Sequence, residues 1–80
     1  MIAVEVRLFA SLQEYYPNLE IGEAFIVMLD DKAKLGNLLD ELKIPREEIA
    51  IVMVNGRWEE EGYPLRDRDR IGIFPPVGGG

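Results

Sequence analysis

Only one stretch of this chain has helical periodicity, and it has to be covered by strands. Leu35, Leu38, Leu39 and Leu42 stand at i, i+3, i+4 and i+7, along one face of a helix. Pro45 ends that helix at or before Ile44, Gly36 weakens its first turn, and it starts at an Asp31 cap or nearer Lys34. On the simplest reading, the leucine stripe is the core face. Residues 2–8 alternate cleanly, with Ile2, Val4, Val6 and Leu8 on one side and Ala3, Glu5 and Arg7 on the other, as a half-buried strand does. Glu23 to Leu29 is β-branched and aromatic, but apolar throughout, so its two faces cannot be separated. Ile49 to Val54 is a third apolar run, and Asn55-Gly56 after it is a strong hairpin signal, because both residues tolerate φ > 0. Arg57-Trp58 begins the return strand, and Arg70 to Phe74 forms a last one, with Ile71 and Ile73 inward and Gly72 and Phe74 outward.

Ala10 to Tyr16, with Ser11 as its cap and Pro17 as its stop, reads as a short helix, and Tyr63-Pro64-Leu65 as a turn with an apolar plug. The order is therefore β, short helix, β, helix, β, β, β. Strands at both ends of one substantial helix predict an α+β domain, a mixed sheet wrapped over that helix. No linker, repeat or second domain is visible in the 80 residues. The expected division is a folded unit over 1–74 and an extended tail over 75–80.

Composition excludes several functions. The chain has no Cys and no His. That removes the thiol nucleophile, the thiolate metal ligand and the commonest general base, and argues against an autonomous hydrolase or transferase. The net charge is −6, and Arg66, Arg68 and Arg70 are interleaved with Asp67 and Asp69, so nucleic acid and anionic membranes are not expected partners. A basic or apolar partner is expected rather than an acidic one. No signal-peptide pattern opens the chain and no apolar run approaches a membrane span, so the expected location is cytoplasmic.

The chain ends Pro75-Pro76-Val77-Gly78-Gly79-Gly80. Two prolines hold the backbone extended, and three glycines without side chains can follow almost any narrow passage. The one reactive group on this leash is the Gly80 carboxylate, which a second protein can reach and modify. Phe9 and Phe74 both fall on the outward register of the first and last strands. If those strands pair, the two rings form an exposed aromatic docking patch at the root of the tail.

Val6-Arg7-Leu8-Phe9-Ala10-Ser11-Leu12, Leu38-Leu39 with Leu42, Val54-Asn55-Gly56 and Asp67-Arg68-Asp69-Arg70 resemble the small subunit of molybdopterin synthase. So does Phe74-Pro75-Pro76-Val77-Gly78-Gly79-Gly80, which is similar to that family's Phe-Pro-Pro-Val-x-Gly-Gly ending. The wider group is the ubiquitin-like sulfur carriers, and the resemblance implies their β-grasp fold. It also implies a chemistry. An activating enzyme of the ubiquitin-activating type uses ATP and Mg²⁺ to adenylate Gly80. A sulfurtransferase persulfide then converts it to a thiocarboxylate, and the tail inserts Gly78 and Gly79 into the large synthase subunit. Phe9, Phe74, Pro75, Pro76 and Val77 would dock. The carrier itself would be no enzyme and bind no cofactor or metal.

The chain departs from the family in having Lys34 where Thr often starts the main helix. Glu59 to Glu61 reads as a solvated turn, Trp58 as packing, and Arg66 to Arg70 as a turn with weak surface pairs. Three other readings remain open. They are a thiazole-synthesis sulfur carrier, a protein modifier conjugated through Gly80, and a non-reactive interaction domain.

Overall fold

The computed structural model describes residues 1–76; the expectations for Val77, Gly78, Gly79 and Gly80 lie outside the described residues. Strand β1 spans Ile2–Leu8, β2 Phe25–Leu29, β3 Ile51–Val54, β4 Arg57–Trp58 and β5 Arg70–Phe74. Helix α1 runs over Leu35–Leu42, and short 3₁₀ helices occupy Ala10–Tyr15 and Arg46–Glu48. The sheet order is β2-β1-β5-β3-β4, with β1 and β5 parallel and every other neighbouring pair antiparallel. This mixed sheet with one main helix is the β-grasp architecture.

The core follows from the alternation. Val4, Val6 and Leu8 of β1, Ile71 and Ile73 of β5 and Val52 and Val54 of β3 are buried against Leu35, Leu38, Leu39 and Leu42. In β2 the faces illegible in the sequence now separate: Phe25, Val27 and Leu29 turn inward, and Ile26 and Met28 stand exposed. Asn55 (φ 52°) and Gly56 (φ 84°) both take the left-handed conformation that the hairpin requires. Leu65 is buried, as the apolar plug should be.

Several local expectations need correction. Of the two starts expected for helix α1, the one after Lys34 forms and the Asp31 cap does not, because the Lys34 N–H donates to the Asn37 side-chain oxygen at 2.8 Å. Asp30, for its part, accepts from Lys32 N–H at 2.9 Å and holds the preceding turn. Ser11 caps nothing: Phe9 precedes the first 3₁₀ helix, and Ala10 makes the bend with φ 53°. Strand β2 begins at Phe25 instead of Glu23, and β3 at Ile51, since Ile49 closes the second 3₁₀ turn.

Trp58 does not pack; it is 69% exposed. Its register partner is Met53, which alternates with the buried Val52 and Val54, so Trp58 stands on the sheet face away from the helix.

The acidic segment is more than a solvated turn. Arg46 donates through Nε to Glu61 Oε2 at 2.9 Å, and through Nη2 to Asp40 Oδ1 at 2.8 Å and the Gly36 carbonyl at 3.0 Å. Hydrogen bonding to Glu61 and Asp40 holds the guanidinium pKa above its ordinary value. Gly36 N–H donates to the Glu61 carbonyl at 2.8 Å, and a Cβ at position 36 would lie 3.0 Å from Glu61 Oε1. The glycine that weakens the helix therefore lets this loop close against it.

The segment 66–70 is likewise not only a surface turn. The Asp69 carboxylate is buried, and accepts from Asn55 Nδ2 and from Arg66 N–H, each at 2.8 Å. Only the Asp67–Arg68 pair, at 3.8 Å and exposed, is of the weak kind.

Candidate functional site

The surface at the root of the tail is built by the β1–β5 pairing. Parallel register sets Leu8 beside Ile73, so the next residues, Phe9 and Phe74, also meet. Phe9 N–H donates to the Ile73 carbonyl at 3.1 Å, and Ala50 N–H to the Phe74 carbonyl at 2.8 Å, which fixes both backbones. The rings stack face to face, with centroids 4.4 Å apart and planes within 1°. Both rings are half-buried, because they cover one another.

Gly72 is the residue that sequence reasoning missed. A Cβ built on it would lie 3.1 Å from Phe9 Cε2 and 3.4 Å from Phe74 Cε1, so the rings sit down onto bare backbone. The alternation had already put Gly72 on the outward face beside Phe74, and that was the available signal. A shallow depression of about 180 Å³ results, lined by Phe9, Met53, Gly72 and Phe74, with Arg7 and Arg70 at its border. Arg7 is committed there: it donates to Glu5 Oε1 at 2.7 Å and to the Gly22 carbonyl at 3.2 Å. Beyond Phe74, Pro75 is half-buried and Pro76 exposed, and both precede the residues outside the described part.

A larger open groove, about 530 Å³, runs between Leu35, Leu39, Ile49, Val52 and Trp58, and shares no residue with the Phe9–Phe74 surface. Among the described residues no group of three His, Cys, Asp or Glu side chains could hold a metal ion, and no helix is long and apolar enough to cross a membrane.

A β-grasp unit with an aromatic pair just before a Pro-Pro-Val-Gly-Gly-Gly stretch, matched by the family model below, is of one class: a ubiquitin-like carrier. The chain belongs to the ThiS family of such sulfur carriers, whose family model matches residues 6–80. Members are non-catalytic carrier proteins and bind no cofactor themselves.

Among solved structures, the chain is similar to small archaeal modifier protein 1 of Haloferax volcanii, at 27% identity over 98% of this chain and 99% of that one, with a TM-score of 0.76. The same protein from Methanosarcina acetivorans is 25% identical over 100% and 98% of the two chains, with a TM-score of 0.66. A chain from the complex of subunits 1 and 2 of the Helicobacter pylori molybdopterin-converting factor is 30% identical over 99% and 100%, with a TM-score of 0.62. A search of curated protein sequences gave no match.

Proposed function

We propose that this chain carries sulfur on its C-terminal carboxyl for molybdopterin synthesis, for the molybdenum or tungsten cofactor. The observation that carries the reading is the Phe9–Phe74 stack set immediately before the Pro75-Pro76-Val77-Gly78-Gly79-Gly80 ending. Residues 1–74 act as the handle and 75–80 as the reactive tail. Phe9, Phe74, Pro75, Pro76 and Val77 dock, while Gly78 and Gly79 pass a tunnel that a Cβ would obstruct.

A free carboxylate is a poor electrophile. Its oxygen attacks the α-phosphate of ATP on a Mg²⁺-dependent activating enzyme; pyrophosphate leaves and an acyl adenylate forms. The terminal sulfur of a sulfurtransferase persulfide attacks the acyl carbon and expels AMP. A thiol of the donor then cleaves the S–S bond, becoming a disulfide and leaving both electrons on the thiocarboxylate sulfur. The large synthase subunit, whose counterpart accompanies the Helicobacter pylori relative, takes the tail into its active site, where the sulfur passes to a pterin precursor and the Gly80 carboxylate is restored by water. The reading places the chain in the cytoplasm with these three partners.

Incubation with the cognate activating enzyme, ATP and a persulfide donor tests this. Intact mass should rise by about 16 Da, the difference between S and O. Deleting Gly80 should abolish that gain and leave the melting temperature unchanged; a deletion variant that still gains the mass, or a wild-type chain that does not, refutes the proposal.

The likeness to two small archaeal modifier proteins favours a second reading, conjugation of Gly80 to lysines of other proteins. A ladder of heavier adducts in place of the mass gain would select it. Thiazole synthesis is a third destination for the same thiocarboxylate, and sulfur transfer to a thiazole synthase in place of the pterin would select it.

A further inference from the structure

The outward face of the sheet differs in charge from the rest of the molecule. Its charged side chains on β1 and β5 are Glu5, Arg7 and Arg70, one more positive than negative, in a chain whose net charge is −6. The outward positions of β2 and β3 are uncharged: Ile26, Met28, Ile51 and Met53. The face that holds the Phe9–Phe74 stack is therefore the one from which the negative charge has been withdrawn.

Arg70 is the informative member. Its backbone is fully used by the fold, with its N–H donating to Asn55 Oδ1 at 2.9 Å and its carbonyl accepting from Asn55 N–H at 2.7 Å. Its side chain is exposed and borders the depression over Gly72. The carboxylate beside it in register, Glu5, is taken by Arg7 in an ion pair at 2.7 Å. Among the described residues no carboxylate lies within ion-pair distance of Arg70. A fold-stabilising role accounts for the backbone at this position but not for the guanidinium.

We infer that Arg70, beside the aromatic stack, selects a partner whose docking surface carries carboxylates around an apolar side chain that enters the depression over Gly72. The inference rests on the carrier reading above and deepens it. It replaces the expectation of a basic or apolar partner, which came from net charge alone: over a contact of this size, local charge decides, because solvent ions screen the rest of the surface. A guanidinium suits the task, since its planar fork can take a carboxylate with two parallel hydrogen bonds. Docking would bring that carboxylate and Arg70 together in a partly dried site.

The test uses the full-length chain and its cognate activating enzyme, with binding followed by calorimetry. Arg70→Glu should raise Kd at least tenfold, and Arg70→Lys, which keeps the charge but loses the fork, by a smaller factor. The wild-type Kd should rise between about 0.05 M and about 0.5 M NaCl, the range over which screening becomes short-ranged. Melting temperatures, with Arg70→Gln as a neutral third variant, separate binding from folding. An unchanged or lower Kd for Arg70→Glu overturns the inference. The carrier reading would still stand if Phe74→Ala weakened the same complex and adenylation of Gly80 proceeded; it would fall if neither did.

Discussion

Replacing Gly72 with valine should leave the chain folded and blunt the proposed docking surface. The built Cβ lies 3.1 Å from the Phe9 ring and 3.4 Å from the Phe74 ring, below ordinary carbon contact for the first and at its limit for the second. Because both rings are open to solvent on one side, they can move outward by a few tenths of an ångström. For alanine, the gain in strand stability over glycine, about 0.5–1 kcal/mol, offsets that movement, so the net change should stay within about 1 kcal/mol. Valine adds two methyl groups that must wedge the rings, at the cost of part of a stacking interaction of about 0.5–1.5 kcal/mol. A loss of about 1 kcal/mol corresponds to a fall of roughly 4–8 °C in melting temperature for a domain of this size. Binding should suffer more: filling the depression and displacing both rings should weaken the complex with the activating enzyme at least about tenfold, equivalent to about 1.4 kcal/mol. Thermal melts and calorimetric titrations of the two variants measure both quantities. A Gly72→Val variant that binds as tightly as the wild type would refute the assignment of this surface. A Gly72→Ala variant destabilised by more than about 2 kcal/mol would refute the claim that the rings can yield.

Two further outcomes are expected. Asp69→Ala removes the acceptor of Asn55 Nδ2 and of Arg66 N–H; it should lower stability by about 1–3 kcal/mol in chemical denaturation, and a loss below about 0.5 kcal/mol would show that water replaces both bonds. The Tyr15 hydroxyl donates to Glu48, which raises the phenol pKa above its ordinary value of 10.0. A raised acid pKa means that the fold prefers the protonated phenol. This contribution is complete below the unfolded value and disappears as pH rises through the folded one. Tyr15→Phe should therefore flatten the loss of stability between about pH 9 and about pH 11; identical slopes in denaturant titrations at the two pH values would dismiss the bond.

What could be read in advance was what depends on neighbours in sequence. The alternation of Ile2 to Leu8, the leucine spacing of α1 and the Asn55-Gly56 dipeptide each express a local period or a local φ requirement, and each element formed. The meeting of Phe9 and Phe74 was legible as a condition on the pairing of two end strands. Positions whose role is set by distant chain were not legible. Asp69 looked like one member of a charge run until Asn55 closed over it, 14 residues away in sequence. Glu61 looked like loop until Arg46 and Gly36 engaged it. Trp58 was misread because its chemistry favours burial, while its pairing with the outward-facing Met53 keeps it off the core face. Arg70 could not be distinguished from its charged neighbours while its face was unknown.

The strand that runs into Pro75 is the middle one of five, hydrogen-bonded to β1 on one side and β3 on the other. Traction applied at the terminus would travel along this strand and load both ladders sideways, many bonds at once, since ladder hydrogen bonds run across the strands. A terminus rooted in β2 or β4 would load one ladder instead of two. This anchorage should make the globule resist traction applied along β5 from Pro75.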